Sequence, residues 1–109
     1  MVKRIGHKGA DALAPGNTLE SFRTAVELGV DMIEFDVLRI RDGEFVIAHD
    51  FGDAGGRDAL SLAEGLDAFK RPPLDRVDVD CDLKLPGGED RLAGAVRDSD
   101  LLDRAMVST

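Results

Sequence analysis

Two segments of the chain alternate apolar residues with carboxylates, one for one. In Met32-Ile33-Glu34-Phe35-Asp36-Val37, an extended strand puts Ile33, Phe35 and Val37 on one face and Met32, Glu34 and Asp36 on the other. In the segment Val77 to Leu85, the apolar residues Val77, Val79, Cys81, Leu83 and Leu85 alternate with Asp78, Asp80, Asp82 and Lys84. A parallel strand covered on both faces reads as a near-continuous apolar run, and these two strands do not. Carboxylates carried toward the C-terminal ends of otherwise core-like strands fit a barrel interior with a polar mouth at that end.

The remaining segments supply the alternation such a barrel needs. Lys3 to His7 reads as a short strand, followed by a loop with Gly9, Pro15 and Gly16. Asn17 with Glu20 three residues on has the form of a capping box. Leu19, Phe22 and Val26 give an apolar stripe, so a helix is predicted from Asn17 to Leu28, stopped by Gly29. The second strand continues to Arg41, and Asp42-Gly43 is a tight-turn dipeptide. A return strand, Phe45 to Ala48, delivers His49. Asp50 to Asp58 reads as a loop. Ser61 and Glu64 repeat the capping-box pattern ahead of a short helix, which Pro72-Pro73 ends. A helix from about Glu89 to Asp98 and a strand from Ala105 to Ser108 complete the order. Alternating strands and helices imply an α/β fold with a parallel sheet.

Composition narrows the partners. Acids outnumber bases 22 to 14, a net charge of −8, which argues against a nucleic-acid backbone. There is no Trp or Tyr for stacking on bases. The one cysteine, Cys81, excludes an intrachain disulfide and a cysteine-rich zinc site, and reads as a small core residue. No run approaches the ~18 apolar residues of a membrane span. The first residues lack the apolar core of a secretory signal, so a cytoplasmic location is expected.

Glu34, Asp36 and Asp82 are the candidate metal ligands. Three carboxylates gathered in a low-dielectric mouth repel one another and resist ionisation. A hard divalent cation removes that cost, and all-oxygen ligation suits Mg²⁺ or Ca²⁺. His7 and His49 are the only two histidines, and each follows a strand at the end where the acids gather. Imidazole is the side chain best placed to exchange protons near neutral pH. Lys8 and Lys84 would supply positive charge to an anionic oxygen such as a substrate phosphate.

These residues also stand in a recognisable order. His7-Lys8-Gly9, Pro15-Gly16-Asn17-Thr18, Glu34-Phe35-Asp36, His49-Asp50 and Asp82-Leu83-Lys84 resemble the successive motifs of the glycerophosphodiester phosphodiesterases, members of the phospholipase-C-like TIM-barrel phosphodiesterases. Leu19-Glu20-Ser21-Phe22, Asp42-Gly43 and the closing Met106-Val107-Ser108 look like the family too. The resemblance implies that His7 and His49 are an acid/base pair and that Glu34, Asp36 and Asp82 ligate the cation. It implies metal-dependent hydrolysis of a small-molecule glycerophosphodiester to glycerol 3-phosphate and an alcohol. Three positions depart from the motifs. Lys8 replaces an arginine, keeping the charge but losing bidentate phosphate binding. Gly16 replaces a glutamate. Asp82 replaces a glutamate one methylene longer, so the cation must shift or a water must intervene.

A full barrel of this kind takes ~250 residues. The 109 residues here hold about four barrel strands. The expected fold is therefore the first half of a TIM (β/α)8 barrel, with a small β-hairpin extension after strand 2. Residues 1–109 would form a partial domain of this family, paired with a C-terminal half or with a second copy of itself, and weakly active or inactive alone. The alternatives are a non-catalytic half-barrel remnant serving as a binding or structural module, or a related phospholipid phosphodiesterase with a different head group.

Overall fold

The computed structural model describes residues 4–10, 12–40, 43–56 and 59–108. Five strands and four helices follow one another as β1 (Ile5–His7), α1 (Leu19–Glu27), β2 (Met32–Arg39), β3 (Phe45–Ile47), α2 (Phe51–Gly56), α3 (Leu62–Ala68), β4 (Asp78–Leu83), α4 (Glu89–Asp98) and β5 (Ala105–Ser108). Four strands pair in parallel in the order β1-β2-β4-β5, while β3 folds back antiparallel onto the end of β2. The α/β class, the parallel wall and the hairpin after the second barrel strand are as expected.

Register puts the alternation of the sequence into space. Glu34 lies opposite Asp80 and Asp36 opposite Asp82, so the acids of β2 and β4 share one face of the sheet. His7 pairs with Glu34 and Ser108 with Asp82 on that same face. Phe35 and Cys81 lie opposite each other on the other face. There Ile33, Phe35, Val37, Val79, Cys81 and Leu83 form the core with Phe22 and Ala25 of α1, Leu62 and Leu66 of α3, and Leu92 and Val96 of α4. Phe22, Phe35 and Phe69 pack together at its centre with ring centroids 5.3–5.7 Å apart, Phe35 stacked on Phe69 and Phe22 tilted against both. Helices α1, α3 and α4 pack on this core face, and the acids lie on the other.

Local sequence accounts for most boundaries. The Ser61 hydroxyl accepts from the Glu64 N–H while the Glu64 carboxylate accepts from the Ser61 N–H, the predicted capping box of α3. Gly29, with φ +83°, follows the last turn of α1 as its stop. Two expectations fail. Asn17 does not cap α1; Thr18 does, its hydroxyl accepting from the Ser21 N–H. Asp50 to Asp58 is not all loop. Residues 51–56 form α2, whose start is held by the Asp50 carboxylate on the Asp53 N–H and the Asp53 carboxylate on the His49 N–H. Three glycines in six residues hid that helix, because glycine is a poor helix former and its start depends on side-chain capping. Lys3, Arg41, Asp42 and Asp58 lie outside the described residues.

Arg104 joins the last strand to the rest of the layer. Its guanidinium donates to the carbonyls of Phe69, Leu74 and Val77 at 2.6–3.1 Å. One side chain thereby satisfies carbonyls on three turns of the segment leading into β4, a use the planar five-donor fork allows.

Candidate active site

The site is built where the C-terminal halves of β2 and β4 meet the segments following β1 and β3. β1 pairs with β2 as far as Glu34, and β3 takes up the pairing again at Val37. Because β3 runs antiparallel, its C-terminal end returns to the level of Asp36, and that return brings His49 to the acids. Its Nδ1 lies 3.2 Å from Asp36 Oδ2. His7, the last residue of β1, places Nε2 3.4 Å from Glu34 Oε2. Both imidazoles keep half or more of their side-chain surface exposed, 62% for His7 and 50% for His49, while the Asp36 carboxylate is 1% exposed. Each ring thus contacts an acid on one side and solvent on the other.

Glu34, Asp36 and Asp82 each offer an oxygen within 4.8 Å of the others. The shorter Asp82 therefore still reaches the group. Glu34 Oε1 is buried without a hydrogen-bond partner among the described residues. Burial, reinforced by the charge of Asp36, raises the Glu34 carboxyl above its ordinary range; His7 opposes this, while Asp82 and Asp80 add to it. An orphaned buried carboxylate oxygen beside two further acids fits a hard cation, which would supply the missing partner and offset the repulsion.

The two lysines lie among the acids. Lys84 donates to Asp82 Oδ2 at 3.0 Å and stands 3.4 Å from Asp36 Oδ1. The hydrogen bond to Asp82 is the main reason its ammonium is held above the usual lysine value, with some burial acting the other way. Lys8 Nζ is 3.9 Å from Asp36 Oδ2. All seven predicted residues, His7, Lys8, Glu34, Asp36, His49, Asp82 and Lys84, are joined by these contacts. Beside them, Lys8, Gly16, Asn17, His49, Asp50 and Asp53 line an open pocket of 290 Å³.

Sequence reasoning missed two members of this neighbourhood. Asn17, read as a helix cap, instead hydrogen-bonds Asp36 through both its backbone and its carboxylate. Asp80, noted only as part of the alternation, lies opposite Glu34 and accepts from the Ser108 hydroxyl at 2.8 Å. The period-two pattern contained the signal for Asp80. Nothing local distinguished Asn17 from a cap.

The model of the Glycerophosphoryl diester phosphodiesterase family matches residues 7–59. A glycerophosphodiester phosphodiesterase of Caldanaerobacter subterraneus is 46% identical over 46 residues, 42% of this chain and 19% of the relative. One of Bacillus subtilis is 35% identical over 46 residues, 42% of this chain and 16% of the relative. Among solved structures, a glycerophosphodiester phosphodiesterase from Agrobacterium tumefaciens superposes with a TM-score of 0.79 at 23% identity, over 98% of this chain and 57% of that one. One from Parabacteroides distasonis gives 0.77 at 23% identity, over 96% and 55%. The chain spans a little over half the length of these structures, and its matched segment under a fifth of the sequence relatives. Residues 7–59 thus match the glycerophosphoryl diester phosphodiesterase family, and nearly the whole chain shares the fold of these solved structures.

Proposed function

We propose that this chain supplies the cation-binding and proton-transfer side of a phosphodiesterase site that hydrolyses glycerophosphodiesters to glycerol 3-phosphate and an alcohol. One observation carries the reading: Glu34, Asp36 and Asp82 converge within 4.8 Å with a buried Glu34 oxygen left over. The family match over residues 7–59 supports the substrate class.

Glu34, Asp36 and Asp82 would hold Mg²⁺ or Ca²⁺. When bound, the cation supplies Lewis-acid stabilisation of charge on a phosphate oxygen. His49 turns Nδ1 to Asp36, which fixes the tautomer with its proton on that nitrogen and leaves Nε2 for exchange. His7, beside Glu34, is the partner on the opposite flank. One imidazole takes a proton from the attacking water or hydroxyl as its oxygen bonds to phosphorus. The other delivers a proton to the alcohol oxygen as its bond to phosphorus breaks. Lys84 stays charged against Asp36 and Asp82, and Lys8 faces the adjoining pocket, so both present positive charge to a phosphodiester. The described residues form one side of the site, so hydrolysis by the 109-residue chain alone is expected to be weak.

Calorimetric titration with Mg²⁺ and Ca²⁺, paired with a glycerol 3-phosphate release assay, tests the reading. Binding of at least one cation that disappears in Glu34→Ala, with hydrolysis that disappears in His7→Ala, is expected. A chain that binds neither cation, or binds equally well after Glu34→Ala, overturns it.

A further inference from the structure

The loop between β1 and α1 contains a buried polar residue that the mechanism above does not use. Asn17 is 1% exposed and holds φ +61°, the left-handed region that asparagine tolerates better than most residues. Its backbone N–H donates to the Lys8 carbonyl at 2.8 Å. Its side-chain Oδ1 accepts from the Asp36 N–H at 3.0 Å, and its Nδ2 donates to Asp36 Oδ2 at 3.0 Å. That backbone N–H falls in the interval of β2 between the residues paired with β1 and with β3, so the amide takes the place of a ladder bond. The pairing also fixes which way the amide points, since a reversed amide would set its oxygen against the carboxylate.

We propose that Asn17 is a positioning residue of this site: by occupying Asp36 Oδ2 it leaves Oδ1 as the oxygen that Asp36 offers to a cation. The inference rests on the cation reading of the site. Asp36 Oδ2 already receives Asn17 Nδ2 and faces His49 Nδ1 at 3.2 Å, which uses the roughly two acceptor positions of one carboxylate oxygen. Oδ1 is turned to Lys84, which also binds Asp82, and so lies on the side of the other ligands. Asn17 couples this choice to the proton-transfer loop. The Lys8 carbonyl receives both the Asn17 N–H and the Ser21 hydroxyl, holding the segment after His7 against Asp36. Metal-ligating carboxylates are oriented by such outer partners, whose removal costs about 10–100-fold in metal affinity or activity.

The test compares Mg²⁺ and Ca²⁺ affinity by calorimetry in the unchanged chain, Asn17→Asp and Asn17→Gly, with circular dichroism following fold and melting temperature. Asn17→Asp keeps size and shape but sets a carboxylate oxygen against Asp36 Oδ2. Asn17→Gly keeps the left-handed backbone and removes both side-chain bonds. Both are expected to bind about 10–100-fold more weakly while folded. A residue with only a structural role would lower the melting temperature and leave the affinity of the folded chain unchanged. If the unchanged chain binds a cation and a folded variant binds it within twofold, the positioning role is overturned and the cation reading stands. If the unchanged chain binds neither cation, both fall. If neither variant folds, Asn17 is a folding residue and the positioning role is overturned.

Discussion

Phe35 and Asp36 are neighbours on the same strand, and both are buried to within 1% of full burial, yet they are held in unrelated ways. Phe35 faces the helices and is fixed by stacked rings and aliphatic side chains, a non-directional contact that any apolar group of similar volume could approximate. Asp36 faces the other side of the sheet and is fixed by four named residues from three separate segments: Lys8 and Asn17 after β1, His49 after β3 and Lys84 after β4. The outer face of the sheet therefore carries stability and tolerates similar shapes. The inner face carries charge that only particular partners can accommodate. The sheet can carry a costly acidic cluster there because the opposite face supplies the burial that keeps the strands in place.

The contrast predicts unequal responses to substitution. Phe35→Ala should cost about 3–5 kcal/mol in urea unfolding, as a large aromatic removed from a packed centre. A loss below about 1 kcal/mol would mean that the outer face is not the stabilising one. Asp36→Ala should cost less stability, about 1–3 kcal/mol, as its donors lose their acceptor. It should nevertheless eliminate cation binding, read by calorimetry on the same sample. If Phe35→Ala and Asp36→Ala reversed these effects, the division between the faces would collapse.

A smaller effect separates the faces by pH. Burial and the Asp36 charge raise the folded-state pKa of Glu34 above its ordinary value of 4.5. The folded chain then binds this proton more tightly than the unfolded chain, so cation-free stability should fall as pH rises from 4.5 through the raised pKa, and level off above it. Glu34→Gln should remove that fall, and urea midpoints across the range measure it. An unchanged pH profile in Glu34→Gln would show that Glu34 is not the strained acid. The smallest change belongs to the outer face. Burial, with a lesser part from the Asp80 charge, pushes the Cys81 thiol up to about 12. A thiol reagent at pH 8 should leave the native chain unlabelled and modify one thiol after unfolding. Rapid labelling of the folded chain would place Cys81 outside the core.

The pattern of the chain went a long way toward the fold. Strict alternation in β2 and β4 separated the two faces, and parallel pairing in register then made Glu34, Asp36 and Asp82 neighbours. The capping box at Ser61 and the stop at Gly29 are local chemistry, so they appear where the sequence places them. Expectations failed where a side chain had two possible partners. Asn17 could bond the start of its own helix or the distant Asp36, and at residues 51–56 side chains hold the helix start, Asp50 accepting from the Asp53 N–H and Asp53 from the His49 N–H.

The amino-acid order alone thus determined which residues lie on each side of each strand, because side-chain direction follows from a backbone repeat of two. Tertiary structure alone decided which donors reach Asp36, how β3 returns His49 to it, and where the guanidinium of Arg104 finds its carbonyls. Those contacts join segments up to 35 residues apart. A hydrogen bond over that separation depends on angle and distance that only the packed sheet and helices fix.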